Sequence, residues 1–136
     1  MATKRETIVS LNTNEIKKQK SYIGLHLIAD FWGAKVIEDP KKIEKILILA
    51  AKKANNTPLK VNICRFSPYG ITAVILLAES HISLHSWVEF NYLAVDVFTC
   101  GKKTKPHQAI AYLKKIFKPQ RVQIKEVRRG KTNRFF

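Results

Sequence analysis

The stretch AESHISLHSW, residues 78–87, concentrates side chains that can transfer protons or act as nucleophiles. Within seven positions it holds a carboxylate, two hydroxyls and two imidazoles: Glu79, Ser80, His81, Ser83 and His85. It emerges from the apolar run ITAVILLA, where burying a polar group is costly unless that group has a partner. A histidine titrates near neutral pH and can activate a neighbouring hydroxyl. The stretch is therefore a candidate site.

Period-2 alternation, as in a β-strand, distributes these groups between two faces. One face is predicted to carry two imidazoles, a hydroxyl, an indole and a carboxylate, from His81, Ser83, His85, Trp87 and Glu89. The opposite face is mainly apolar. Chemistry alone leaves three interpretations open: the solvated face of an edge strand, a metal site or a catalytic site.

Two of these interpretations meet geometric difficulties. His81 and His85 lie about 13 Å apart on an extended strand, too far to share an ion unless the strand bends, so we predict no metal site. A serine hydrolase could use Ser80 or Ser83 as its nucleophile. Its partners would be His85 and Asp96, but the chain has no G-x-S-x-G elbow. The pattern indicates a site without naming its reaction.

Two cysteines, Cys64 and Cys100, are too few for a disulfide framework, and each is predicted to be a free thiol. Cys64 falls within the alternating run LKVNICRF and is predicted to be structural. Cys100 ends the strand-like run LAVDVFTC just before Gly101. A thiol at a strand end is more accessible and is the better candidate for chemistry.

The chain is strongly basic, with 25 Lys and Arg against 10 Asp and Glu and a net charge of +15. Such a charge raises the hypothesis of a non-catalytic basic nucleic-acid-binding protein. The basic residues, however, are dispersed as pairs, and there is no zinc-finger spacing, aromatic RNA-binding signature or recognition-helix pattern. We therefore expect no specific nucleic-acid partner, only non-specific affinity for polyanions.

No apolar run approaches the roughly 18 residues that a membrane-spanning helix needs. The first 20 residues are polar and basic, and no apolar segment follows them as a secretory signal requires. We expect a loose N-terminal arm, no membrane association and a cytoplasmic protein.

The 136 residues are predicted to form a single domain of two helices and five or six strands. Strands are predicted at 24–32, 59–66, 71–78, 81–90, 93–100 and 121–128. The strand at 71–78 is predicted to be buried on both faces, or nearly so. Asp39 and Pro40 begin a helix whose apolar stripe is Ile43, Ile46, Leu47, Ala50 and Ala54. Pro106 begins a second, with the stripe Ala109, Ile110, Leu113, Ile116 and Phe117. The predicted fold is α+β, a two-layer sandwich of a largely antiparallel sheet with both helices packed on one face.

Residues 65–101, RFSPYGITAVILLAESHISLHSWVEFNYLAVDVFTCG, closely resemble the short prokaryotic S-adenosylmethionine decarboxylase proenzymes. The resemblance is carried by Ala-Glu-Ser-His-Ile-Ser at the end of a strand, by His85, Trp87 and Glu89, and by DVFTCG at 96–101. It extends to GLHLIAD at 24–30 and covers roughly residues 22–130.

By this resemblance, the chain is an inactive precursor that cuts itself at the Glu79–Ser80 bond. Ser80 Oγ would attack the carbonyl of Glu79 and convert the peptide bond to an ester. Loss of the Ser80 α-proton, taken by His85 with support from Thr72, would then release residues 1–79 as the β chain. The α chain, residues 80–136, would carry a covalent pyruvoyl group derived from Ser80.

The resemblance also implies decarboxylation of S-adenosylmethionine to CO2 and the aminopropyl donor of spermidine synthesis. The pyruvoyl carbonyl would form a Schiff base with the substrate amine and accept electrons as CO2 leaves. Cys100 would donate a proton to the product, Glu89 would hold the ribose hydroxyls and Phe66 would stack on the adenine. Some relatives decarboxylate arginine on the same pyruvoyl scaffold, which is the alternative activity.

The family acts as homodimers of cleaved protomers with pockets near the subunit interface, so a homodimer is expected here. Two positions beside the substrate residues depart from the pattern. Val88 stands where many relatives have proline, and Asn91 where glycine is frequent.

Overall fold

The computed structural model describes residues 6, 8–10 and 21–131. Most of the predicted N-terminal arm, like residues 132–136, lies outside the described residues, so the prediction for it is not tested. Among the described residues, no helix is long and apolar enough to cross a membrane.

The described chain contains six strands, two α-helices and one short 3₁₀ helix. The strands are β1 (Tyr22–Trp32), β2 (Pro58–Arg65), β3 (Ile71–Leu77), β4 (Ser80–Trp87), β5 (Tyr92–Cys100) and β6 (Arg121–Lys131). The helices are α1 (Pro40–Lys53) and α2 (Pro106–Phe117), and the 3₁₀ helix is Val88–Phe90. The predicted elements are confirmed in number and order, with boundaries shifted by a few residues.

The strands form one sheet in the order β2-β3-β4-β5-β1-β6, and every pair of neighbours is antiparallel. Strands β2 to β5 follow one another as sequential neighbours. Strand β1 lies between β5 and β6, both distant from it in sequence, and places Gly24 opposite Cys100. The pairing brings Ser80, at the start of β4, and Cys100, at the end of β5, to the same end of the sheet as the start of β1.

One face of the sheet packs against both helices and forms the core. The predicted helical stripes face it: Ile43, Ile46, Leu47, Ala50 and Ala54 of the first, and Ala109, Ile110, Leu113 and Phe117 of the second, are buried. The Asp39 carboxylate caps α1 by accepting a hydrogen bond from Lys41 N at 3.0 Å. The predicted two-layer α+β sandwich is confirmed.

The opposite face of the sheet, which we call the outer face, carries no helix among the described residues. Several large apolar side chains remain exposed there, including Ile28, Leu76 and Trp87. The prediction that β3 is buried on both faces is therefore wrong, because its alternate residues point away from the helices and Leu76 is 45% exposed. Strand β6 also runs three residues beyond its predicted end, since it pairs with β1 as far as Lys131.

Candidate active site

The predicted scissile bond lies at the turn of the β3–β4 hairpin, where Ala78 and Glu79 connect the strands. The Glu79 carboxylate accepts two hydrogen bonds from Thr57, from its N at 2.8 Å and from its Oγ1 at 3.0 Å. The Glu79 carbonyl oxygen accepts a hydrogen bond from Cys100 N at 3.2 Å. The turn is thus anchored on both sides, and a backbone N–H polarises the carbonyl that a nucleophile would attack.

Ser80 has a backbone φ of +139°, a value that side-chain-bearing residues rarely adopt. Such a conformation costs on the order of 1–3 kcal/mol when the surrounding structure imposes it. It also takes Ser80 out of the regular pleat, so the alternation along β4 does not fix the direction of its side chain. Its Oγ lies 3.0 Å from Nδ1 of His81. Strain and a histidine contact therefore coincide at the predicted nucleophile.

Asp96 of β5 joins two histidines beside Ser80. Its Oδ1 lies 2.9 Å from His81 Nε2 and 3.0 Å from His26 Nε2, while its Oδ2 accepts a hydrogen bond from the Ser83 hydroxyl. Burial alone would raise the pKa of Asp96, but the hydrogen bonds from Ser83 and His26, together with the charge and hydrogen bond of His81, lower it below its ordinary value. Asp96 is therefore ionised at neutral pH.

Cys100 ends β5 next to the scissile turn, and its side chain is partly buried. Burial, followed by the charge of Glu79, raises the pKa of the Cys100 thiol above its ordinary value. A thiol in this setting keeps its proton at neutral pH, as a proton donor must. Cys64 lies in β2 as predicted, but it is exposed, so its burial does not support the predicted structural role.

A second group of predicted residues lines an open groove at the other end of β4. The groove has a volume of about 450 Å³, and its walls include Phe66, Thr72, His85, Trp87 and Glu89. Thr72 faces His85 directly across the β3–β4 ladder, with Oγ1 3.1 Å from Nδ1. Phe66 is 51% exposed, which leaves its ring free to stack.

Glu89 does not continue the outer face of β4, as the alternation predicted. The strand ends at Trp87, and Glu89 lies in the 3₁₀ helix Val88–Phe90, where the period-2 rule no longer applies. Asn91 closes this helix with a φ of +48°. That conformation favours glycine and is tolerated by asparagine, so Asn91 suits this position.

The predicted site residues thus fall into two groups within one chain. Glu79, Ser80 and Cys100, with His81 and Asp96, form what we call the cleavage cluster. Phe66, Thr72, His85 and Glu89 line what we call the substrate groove. Five residues of extended strand separate Ser80 from His85, about 17 Å, so His85 is beyond reach of Ser80 in its own chain.

The serine hydrolase alternative is wrong, because its triad is not assembled. His85 contacts Thr72, whereas Asp96 contacts His81 and His26. Ser83 donates its hydrogen bond to Asp96 rather than to a histidine.

Two residues that contact the cleavage cluster, His26 and Thr57, were not predicted, and His81 was predicted only as one of the candidate groups, without a role. The position of His81 next to Ser80 was a usable signal. His26 and Thr57 gave none, because their contacts with Asp96 and Glu79 span 70 and 22 residues of sequence.

Comparison with known proteins identifies the family. The family model described as S-adenosylmethionine decarboxylase matches residues 25–130. The chain belongs to this family. The S-adenosylmethionine decarboxylase proenzyme of Methanococcus maripaludis strain C5 is 41% identical over 110 residues, covering 79% of this chain and 90% of that protein. The proenzyme of the same name from Thermosipho melanesiensis is 41% identical over 111 residues, covering 80% of this chain and 85% of that protein.

A solved structure agrees with both the fold and the family. The adenosylmethionine decarboxylase from Aquifex aeolicus is 37% identical and has a TM-score of 0.75, covering 82% of this chain and 93% of that one. The two-layer α+β architecture therefore matches that of an S-adenosylmethionine decarboxylase. These comparisons favour S-adenosylmethionine over the arginine alternative, and an enzyme over the nucleic-acid-binding hypothesis.

Proposed function

We propose that this protein is a self-processing, pyruvoyl-dependent S-adenosylmethionine decarboxylase that cuts itself between Glu79 and Ser80. Beyond family membership, the observation that carries the proposal is the strained Ser80 in the anchored hairpin turn. Its φ is +139°, and the Glu79 carbonyl beside it accepts a hydrogen bond from Cys100 N. Attack by Ser80 Oγ on that carbonyl converts the amide into an ester. The nitrogen of an amide is a poor leaving group, whereas the carboxylate of an ester leaves readily in the elimination that follows. The products are residues 1–79 and 80–136.

The residues around Ser80 fit the group that the family implies. Ser80 supplies the carbon atoms of the pyruvoyl group, while its Oγ leaves with the Glu79 carboxylate, its nitrogen leaves as ammonia and water supplies the keto oxygen. The group would act as an electron sink when CO2 leaves the bound substrate. Cys100 lies beside Ser80 with its pKa raised by burial and by Glu79, so it holds a proton for the product at neutral pH. Two free cysteines also suit a reducing compartment, and we propose that the enzyme acts in the cytoplasm.

We further propose that two copies of the chain assemble to form each active site. His85 must approach Ser80 to remove its α-proton, but about 17 Å of strand β4 separates the two within one chain. A second copy packed on the outer face would bring its substrate groove to the cleavage cluster. The exposed apolar side chains there, Ile28, Leu76 and Trp87, supply area for such an interface.

In this arrangement the substrate groove holds the adenosyl part of S-adenosylmethionine. Glu89, exposed on the 3₁₀ helix, can accept hydrogen bonds from two ribose hydroxyls. The exposed ring of Phe66 can stack on the adenine. Arginine has neither a ribose nor a base, so these two residues favour S-adenosylmethionine.

The substrate is tested by measuring CO2 release from carboxyl-labelled S-adenosylmethionine and carboxyl-labelled arginine in parallel. We expect release from S-adenosylmethionine alone, with Ser80→Ala as the inactive control. Faster release from arginine would overturn the substrate assignment.

A further inference from the structure

The cleavage cluster contains a continuous chain of hydrogen-bonding groups that begins at the serine hydroxyl. Ser80 Oγ lies 3.0 Å from His81 Nδ1, and His81 Nε2 lies 2.9 Å from Asp96 Oδ1. A hydroxyl, an imidazole and a carboxylate in this order are the arrangement that activates a serine nucleophile. Here the histidine is the immediate chain neighbour of the serine.

The partners of His81 fix which of its nitrogens carries the proton. Asp96 is ionised and can only accept hydrogen bonds, so His81 Nε2 must donate to it. A neutral His81 then has its lone pair on Nδ1, directed at Ser80 Oγ. The serine hydroxyl donates to that lone pair, which is the starting geometry for proton transfer from Oγ.

A metal site is the main rival for the same groups, because the ligating atoms of His26, His81 and Asp96 lie within 4.8 Å of one another. Arg129 argues against it. Its NH1 lies 3.4 Å from His26 Nδ1, and its guanidinium stacks over Phe98, 4.6 Å from the ring centroid. A guanidinium only donates, so His26 Nδ1 accepts and its Nε2 carries the proton given to Asp96. That nitrogen has no lone pair for an ion, and the guanidinium charge repels cations.

We propose that His81, oriented by Asp96, is the base that activates Ser80 Oγ for self-cleavage. The inference rests on the proposed function. It assigns a base to the first step, the deprotonation of Ser80 Oγ, for which the sequence indicated no residue. His81 Nδ1 takes the Oγ proton as Oγ bonds to the Glu79 carbonyl carbon. The same proton then passes to the Ser80 nitrogen as the carbon–nitrogen bond breaks. One C–O bond forms, one C–N bond breaks, and the proton moves from oxygen to nitrogen.

Asp96 is a positioning residue in this scheme, because it holds the tautomer of His81 and stabilises the imidazolium that forms in the step. Ser83 and His26 keep Asp96 in place through their own hydrogen bonds. His85 has a separate task in the later elimination, the removal of the Ser80 α-proton.

An assay for the ester intermediate distinguishes the role of His81 from that of His85. Hydroxylamine cleaves an ester far faster than an amide, so it cuts a chain that has completed the first step but not the second. We expect His85→Ala to be cut at residue 79 when hydroxylamine is added. We expect His81→Gln to remain a single chain under the same conditions, because no ester has formed.

Rates are followed on the full-length precursor by intact mass after synthesis. Removing a general base costs about 10²- to 10⁴-fold, and we expect a loss of that size in His81→Gln. Asp96→Asn keeps the shape of the side chain and should slow cleavage by about tenfold or more through the lost charge. His107→Gln, at an exposed histidine of α2, is the matched control and should cut at the wild-type rate.

The outcomes distinguish this inference from the function on which it rests. A wild-type chain that never cuts overturns both. A wild-type chain that cuts while His81→Gln cuts equally fast, or accumulates the ester, overturns the role of His81 alone. If His81→Gln fails to fold, Asp96→Asn decides, and cleavage at the wild-type rate in that variant refutes the relay. Cleavage that stops with a chelator and returns with a divalent metal ion would assign the cluster to metal binding instead.

Discussion

Ser80 and Cys100 lie close together at one end of the sheet, but their proposed roles differ. In the proposed cleavage Ser80 has to lose its hydroxyl proton, whereas Cys100 has to keep its thiol proton. Nδ1 of the neighbouring His81 lies 3.0 Å from Ser80 Oγ. Cys100 must keep its proton until the product needs it, and partial burial together with Glu79 raises its pKa. We therefore propose that this end of the sheet holds both the nucleophile of processing and the acid of turnover.

The first prediction concerns Cys100. Cys100→Ala should still be cut at Glu79–Ser80 but should decarboxylate about 10²- to 10⁴-fold more slowly, since it lacks the proton donor. In the wild type the active form is the protonated thiol, which is present below its pKa. Turnover should therefore persist through neutral pH and fall as the pH rises through the raised thiol pKa. A pH–rate profile of CO2 release measures this.

Cys64→Ala is the control for this experiment, because Cys64 is exposed on β2 and outside both groups of site residues. It should retain the wild-type rate and profile. Normal turnover by Cys100→Ala, or an alkaline limb unchanged in that variant, would remove Cys100 from the proton-donor role.

At the residue scale, the sequence indicated candidate reacting groups but not their contacts. Ser80 and Cys100 were predicted from the family resemblance, and the position of Cys100 at a strand end agreed with it. The contact between His81 and Asp96 depends on the β4–β5 register, and that between His26 and Asp96 depends on the pairing of β1 with β5. Neither register is encoded in a short window of sequence, because both depend on how the whole sheet closes.

At the scale of elements, the β3–β4 hairpin holds the scissile bond under strain. Thr57 anchors Glu79 before the bond, and the β4 ladder holds Ser80 after it. A φ of +139° between these anchors is a conformation that glycine adopts freely and other residues do not.

The second prediction tests that strain in chains that cannot cut. Ser80→Gly should be more stable than Ser80→Ala by roughly 1 kcal/mol, because glycine removes the backbone penalty. Urea unfolding of both uncut variants measures the difference. Ser83 occupies a regular position of β4 and serves as the control. In chains that also carry Ser80→Ala, Ser83→Gly should be less stable than Ser83→Ala by about 0.5–1 kcal/mol. If glycine were less stable than alanine by the same amount at both positions, the backbone of Ser80 would not be strained.

Helices were predicted well from the sequence because their signals are local. Asp39 with Pro40, and Pro106 alone, mark helix starts, and each apolar stripe has the helical period. The alternation rule failed at Glu89 because a 3₁₀ turn interrupts the strand. At β3 the burial does alternate, but the unbroken apolar run concealed it and suggested burial on both faces, although Leu76 lies on the exposed outer face.

At the scale of the whole molecule, the cleavage cluster and the substrate groove are separated within one chain, which supports our proposal that two copies form each active site. The third prediction is complementation between two inactive chains. Ser80→Ala retains His85, and His85→Ala retains Ser80. When they are co-expressed, the His85→Ala chain should be cut, because its partner supplies the missing imidazole.

Mass spectrometry of the co-expressed pair identifies which chain is cut. The control replaces the helper with the double variant Ser80→Ala/His85→Ala, which offers no imidazole and should leave both chains whole. A His81→Gln chain should remain uncut beside the Ser80→Ala helper, since His81 acts on the serine of its own chain. An uncut His85→Ala chain beside Ser80→Ala would contradict the shared active site.

The central claim is that one chain becomes two at Glu79–Ser80, and intact mass of the purified full-length protein tests it most directly. We expect two fragments, residues 1–79 ending in a free Glu79 carboxylate and residues 80–136 beginning with a pyruvoyl group, whereas Ser80→Ala should stay whole. A single uncut wild-type chain after prolonged incubation, or a cut at any other bond, would contradict it.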